Sequence, residues 1–140
     1  MSVVASKKNE TEFKIGHDAV KFAEHTRKIC NNRKIFPPRH LDLATNIKNM
    51  ATRLVALVYE ANFKSLDDPK RKEMQNSALD TLSGLHGLMQ LAHETCRGER
   101  GVRLVTGGKL KYWASLISEL KTKIKNWIKS DEERLKEDKK

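Results

Sequence analysis

The sequence predicts an all-α protein, an antiparallel up-down four-helix bundle, and three observations carry that prediction. Apolar residues recur at alternating steps of three and four over four long stretches, which places them on one face of a helix. Glycine (7) and proline (3) are few, and alternating β-branched runs are nearly absent. The two middle stretches are joined by a turn so short that they must be antiparallel neighbours. At 140 residues the chain makes one domain with one core. With 6% aromatic residues, that core rests on Leu, Ile, Val, Ala and Met.

Residues 1–13, MSVVASKKNETEF, have no periodicity and read as a mobile tail. The first helix, from about His17 to Asn31, carries a thin stripe of Ile15, Ala19, Phe22, Thr26 and Ile29 and needs tertiary packing to hold it. Asn31 and Asn32 release the chain, Pro37 keeps Phe36 out of a helix, and Pro38 suits the first turn of the next one. That second helix, from about His40 to Phe63, is roughly 36 Å long at ~1.5 Å per residue. Its seam is Leu43, Ile47, Met50, Leu54, Leu57 and Ala61, with Asn46, Asn49, Arg53 and Glu60 opposite. Ser65 to Pro69 forms the short turn, with Asp67 or Asp68 as N-cap and Pro69 in the first turn of the third helix.

The third helix runs to about Thr95 on Met74, Ala78, Leu82 (or Thr81), Leu85, Leu88, Met89 and Ala92. Cys96 to Gly108, CRGERGVRLVTGG, carries four of the seven glycines and reads as a flexible loop or a small hairpin-like excursion. It exceeds the about two to eight residues usual between bundle helices, which suggests a function or an insertion. The fourth helix spans about Lys109 to at least Lys129 on Leu110, Trp113, Leu116, Leu120, Ile124 and Trp127. Residues 131–140 read as a charged, fraying end, so the bundle proper occupies residues 14–130.

The net charge of +10 is unevenly placed. Residues 14–53 sum to +6, residues 54–96 to −2 and residues 97–129 to +7. Two basic zones around a slightly acidic middle suggest a polyanionic partner, most simply nucleic acid; the competing reading is a solvated, lysine-rich surface. Lys121, Lys125 and Lys129 recur every turn, about 6 Å apart, a spacing usable along a phosphate backbone. Lys109 and Lys111 precede them. Arg97, Arg100 and Arg103 sit on the glycine-bearing loop, and Arg39 and Arg53 are the strongest candidates of the second helix. No base-reading motif is present, so the expected binding is backbone-dominated and sequence-tolerant. Trp113 and Trp127 lie on the apolar stripe and read as core or subunit interface, while Tyr112 is the aromatic expected at the surface.

Other chemistry finds little support. Gly107-Gly108-Lys109 suggests a phosphate-binding loop, but Leu110 stands where Ser or Thr is required and no strand precedes it. His86 and His93 are two turns apart, too far to share an ion, so no metal and no cofactor are expected. Cys30 and Cys96 lack metal-type spacing and read as free thiols of a reducing cytosol. No apolar leader is visible in residues 1–14, and no apolar run approaches the ~20 residues of a membrane span. A cytoplasmic location is therefore expected.

Phe36-Pro37 before the second helix, Glu60-Ala61-Asn62 near its end, a third helix reading ALDTLSGLHGLMQLAHE and a final ISELKTKIKNWIKS together resemble one family. It is the four-helix-bundle family of the accessory variability determinant (Avd) proteins of diversity-generating retroelements, with the related proteins of ribosomal RNA intervening sequences. The resemblance covers roughly Lys21 to Ser130. It implies a non-enzymatic, homopentameric, basic barrel, bacterial or phage-encoded. Its implied partners are nucleic acid and the element's reverse transcriptase, in mutagenic copying of a template RNA. The intervening-sequence branch implies a bundle of structural role instead. Family members commonly carry glycine just before the final Trp, where this chain has Lys125 and Asn126. Arg33 and His40 also fit loosely the Arg/His pattern of HEPN-type bundle ribonucleases, but Pro37-Pro38 interrupt the helix that such a pair needs.

Overall fold

Four helices follow one another around a single core in the computed structural model, which describes residues 13–138. They are α1 (Lys14–Asn31), α2 (Leu41–Phe63), α3 (Pro69–Thr95) and α4 (Gly107–Asp138), with 3₁₀ turns at Pro38–His40 and Glu99–Gly101. Each helix packs against its sequence neighbour, and α1 closes the ring against α4 along the least extensive seam. Cross-helix contacts run in opposite senses on every seam, as in Lys48 to Asn31 and Tyr59 to Phe13 between α2 and α1. The architecture is the antiparallel up-down four-helix bundle that the periodicity predicts. No helix among the described residues is long and apolar enough to cross a membrane.

Local chemistry sets the helix ends. The Asp68 carboxylate accepts the Lys70 backbone N–H at 2.9 Å, and Pro69 follows in the first turn, the start read from sequence. Pro38 opens the 3₁₀ turn ahead of α2 rather than α2 itself. The Phe36 N–H bonds back to the Asn32 carbonyl at 2.8 Å, which folds this connection under the bundle and buries Ile35 and Phe36. α1 begins earlier than expected. Phe13, assigned to the tail, packs edge-on against Tyr59 and Trp127. Gly16 leaves room for this, because a Cβ there would stand 2.5 Å from the Phe13 ring. The rest of the expected tail, residues 1–12, lies outside the described residues.

Two sequence assignments are corrected. The buried seam of α2 is Ala44, Ile47, Ala51, Leu54, Val58 and Ala61, joined by Leu57. Leu43 and Met50 are half-buried on its flank. Small alanines at the centre let the α2 backbone approach its neighbours, and the longer chains drape outward; the Met50 methyl reaches the backbone at Gly84 of α3. The supposedly fraying end is also helical to Asp138, and Asp131 is buried within it. In α4, Trp113, Leu120 and Ile124 are core as expected, while Trp127 is half-buried. The Trp113 indole N–H donates to the buried Thr26 hydroxyl at 3.1 Å, which satisfies the core's one indole donor and joins α4 to α1.

Both cysteines are free and buried. Burial pushes the Cys30 thiol from its usual 9.0 up to about 12, with the cations Lys48 and Arg27 offsetting only part of the rise. The folded value lies above the unfolded one, so this contribution to stability is whole below pH 9.0 and is lost as pH climbs toward about 12. Two results are expected: slow labelling of native Cys30 by thiol reagents at about pH 8, and a shallower alkaline loss of stability in Cys30→Ala. Native labelling as fast as in urea would refute this.

Candidate nucleic-acid interface

The apolar face of α4, set by Trp113, Ile117, Leu120 and Ile124, fixes where its lysines point. Lys111, Lys125 and Lys129 are exposed and Lys121 is half-buried. Lys111 and Lys129 are five turns apart and so share one stripe, roughly 27 Å long at ~1.5 Å per residue. Lys125 lies two turns before Glu132, whose carboxylate meets Lys72 of α3 at 2.7 Å. The row therefore runs along the α3 side of α4. Among the described residues, none of these four lysines makes an ion pair. Lys123 is set apart. It turns to the other flank, where it binds Asp18 of α1 at 2.7 Å.

The segment from Cys96 to Gly108 adopts the hairpin-like form. Arg97 and Arg103 pair as an isolated antiparallel bridge, and the Gly98 N–H donates to the Val102 carbonyl at 2.7 Å. The tip turns through Arg100 and Gly101 at φ 60° and 75°, a conformation glycine adopts without the Cβ penalty. Cys96 and Val105 anchor the segment in the core.

Most of its arginines are occupied in holding it. Arg97 donates to the Glu94 and Gly101 carbonyls at 3.3 and 3.2 Å, and Arg39 donates to the Arg97 carbonyl. Arg103 donates to Nε2 of His93. On its other side the His93 ring meets the Val105 carbonyl, which accepts from Nδ1 at 2.7 Å. Arg100 is exposed at the tip. Lys109 is exposed in the first turn of α4, where its backbone N–H donates to the Thr106 hydroxyl at 3.2 Å.

Of the sequence-predicted cations, then, Lys111, Lys121, Lys125 and Lys129 form one row. Arg39, Arg97, Arg100 and Arg103 gather at the loop end. Arg53 is exposed on α2, diagonal to α4 in the ring of helices, and belongs to neither group. What the row can do is neutralise successive phosphates, since it offers several ammonium groups and no geometry for reading bases.

The sequence reading passed over one buried cluster. Arg71 meets Asp131 through two hydrogen bonds, at 2.7 and 3.0 Å, and Gln75 donates to the same carboxylate at 2.9 Å. Arg71 also donates to the Lys64 carbonyl at 3.1 Å and lies over the Trp127 ring at 5.4 Å. A signal was present. Arg71 and Gln75 continue the α3 stripe toward Ala78, and Asp131 continues the α4 stripe beyond Trp127. Opposite charges on two facing apolar stripes mark a buried pair.

Other chemistry has less to work with. Among the described residues no group of three or more His, Cys, Asp or Glu side chains gathers as a metal site. Burial raises the Cys96 thiol as it does Cys30, which suppresses the nucleophilic thiolate. Arg33 is exposed in the α1–α2 connection, and His40 closes the 3₁₀ turn beside α2, so neither stands within an α-helix. No family model, curated protein or solved structure matches this chain.

Proposed function

We propose that this chain is a non-catalytic accessory protein of a diversity-generating retroelement. It is an oligomeric basic bundle that binds template nucleic acid and the element's reverse transcriptase to support mutagenic copying. The observation that carries the reading is the row Lys111, Lys121, Lys125 and Lys129, which makes no ion pair among the described residues. A polyanion lying along it would release counterions at each contact. The resemblance carried by Phe36-Pro37, Glu60-Ala61-Asn62 and the third helix supplies the element and the polymerase. These residues belong to the scaffold: Phe36 and Ala61 are fully buried. Pentameric assembly, implied by the same resemblance, would repeat the row around a ring and make modest contacts avid.

Co-purification with the cognate reverse transcriptase and mobility shift of its template RNA test the reading, with light scattering for subunit number. Complexes with both partners are expected. Binding to neither at moderate salt would refute it, and RNA binding without the polymerase would favour the intervening-sequence branch.

A further inference from the structure

The α1–α4 seam is the least extensive in the bundle, and it opens into a groove with a cavity volume of about 250 Å³. Its floor is apolar, formed by Phe22 of α1 with Leu116 and Leu120 of α4. Tyr112, a residue 58% exposed, forms one wall, and its ring meets the His25 imidazole edge-on at 5.6 Å between centroids. Nε2 of His25 is buried and has no hydrogen-bond partner.

We propose that this groove receives an unstacked nucleobase of a single-stranded nucleic acid; the proposal rests on the polyanion-binding reading and adds to it how the strand is held. Three observations select a base. The volume lies below the about 300 Å³ at which drug-sized sites begin and suits one planar heterocycle. The lining has no net charge, since Asp18 and Glu119 balance Lys21 and Lys123; that suits a neutral ring and not a phosphate. The exposed face of Tyr112 is a stacking platform for such a ring. Charge for the adjoining phosphate is at hand. Lys109 is exposed one turn before Tyr112 on the same face of α4. Bases stacked inside a duplex cannot enter, so the groove distinguishes single strands from double strands.

The test compares the parent chain with Tyr112→Ala and Tyr112→Phe by fluorescence anisotropy. The probes are a labelled single strand of about 20 nucleotides, as RNA and as DNA, and a duplex of the same length. Tyr112→Ala is expected to weaken single-strand binding about 5- to 150-fold, the range of one base–aromatic stack, with the salt dependence and duplex binding kept. Tyr112→Phe recovers the loss, because the ring and not the hydroxyl does the stacking. Single-strand affinity of Tyr112→Ala within about two-fold of the parent overturns the groove while leaving the lysine row standing. Equal losses on both probes overturn it as well, since they mark a change in the fold or in the lysine row. A parent chain that binds neither probe overturns the groove and the polyanion reading together.

Discussion

Replacing Asp131 with alanine is expected to destabilise the bundle by about 3–5 kcal/mol, because it strands a buried guanidinium without its counter-charge. The Arg71 and Asp131 side chains are 11% and 8% exposed, so water cannot take over the lost contacts. Three hydrogen bonds converge on the carboxylate, two from Arg71 and one from Gln75. Arg71 also ties α3 to the end of α2 through the Lys64 carbonyl. At roughly 2–4 °C per kcal/mol, the melting temperature would fall by about 6–20 °C. The double variant Arg71→Met with Asp131→Leu is expected to recover most of the loss, since apolar chains of similar volume avoid the desolvation that the ions undergo. Lys72→Ala serves as the contrast. Lys72 holds the Glu132 carboxyl below its usual range, yet that pair is 58% and 47% exposed, so solvent screens it and its loss is expected to leave stability nearly unchanged. Urea denaturation of the four proteins reads all of this, and a loss under about 1 kcal/mol in Asp131→Ala would place the buried pair among the exposed ones.

Changing Lys121, Lys125 and Lys129 together to glutamine is expected to reduce the slope of log affinity against log salt by about 2–3, close to one for each lost phosphate contact. At ~0.1 M salt that is a loss of roughly 10²–10³-fold. The effect is the same on RNA and DNA and indifferent to sequence, because a lysine row reads only phosphates. Stability is little changed, since Lys125 and Lys129 are exposed and none of the three is in an ion pair among the described residues. Lys123→Gln is the matched control on the same helix. It removes a charge already paired with Asp18 and is expected to shift the slope little. A triple variant that keeps the parental slope would remove the row from the interface.

The helices themselves were legible because their signals are local. Asp68 with Pro69 and Pro37 with Pro38 mark boundaries through backbone chemistry that no distant contact alters. Ile47, Leu54, Leu57 and Ala61 of the α2 seam were legible, but Leu43 and Met50 were chosen over Ala44 and Ala51 because periodicity treats neighbours as equals, while packing prefers the smaller residue where backbones come close. Arg71 and Asp131 were missed because KRKE and SDEER read as solvated charge; only the continuation of each stripe reveals them. The ladder Lys121, Lys125 and Lys129 was legible from spacing, whereas Lys111 joins it only through the length and phase of α4. The row's distinction from Lys123 was not legible, because two residues of helix carry a side chain to the opposite flank, and Asp18 is distant in sequence. The roles of Arg39, Arg97 and Arg103 within the loop were hidden for the same reason, since a charge count cannot tell a free guanidinium from one already donating to carbonyls.

The ties between α3 and α4 give the bundle two unlike edges. Arg71 fastens Asp131 near one end, and near the other His93 fastens Val105 in the segment that leads into α4, so these two helices behave as a laced pair. The α1–α4 edge has the Trp113–Thr26 bond and one exposed ion pair, with a groove beside them. Breathing motions of the bundle will concentrate there, as pages part opposite the spine of a book. The lysines on the laced side keep a fixed pitch, like the teeth of a comb, whereas the unlaced side is compliant enough to admit a guest.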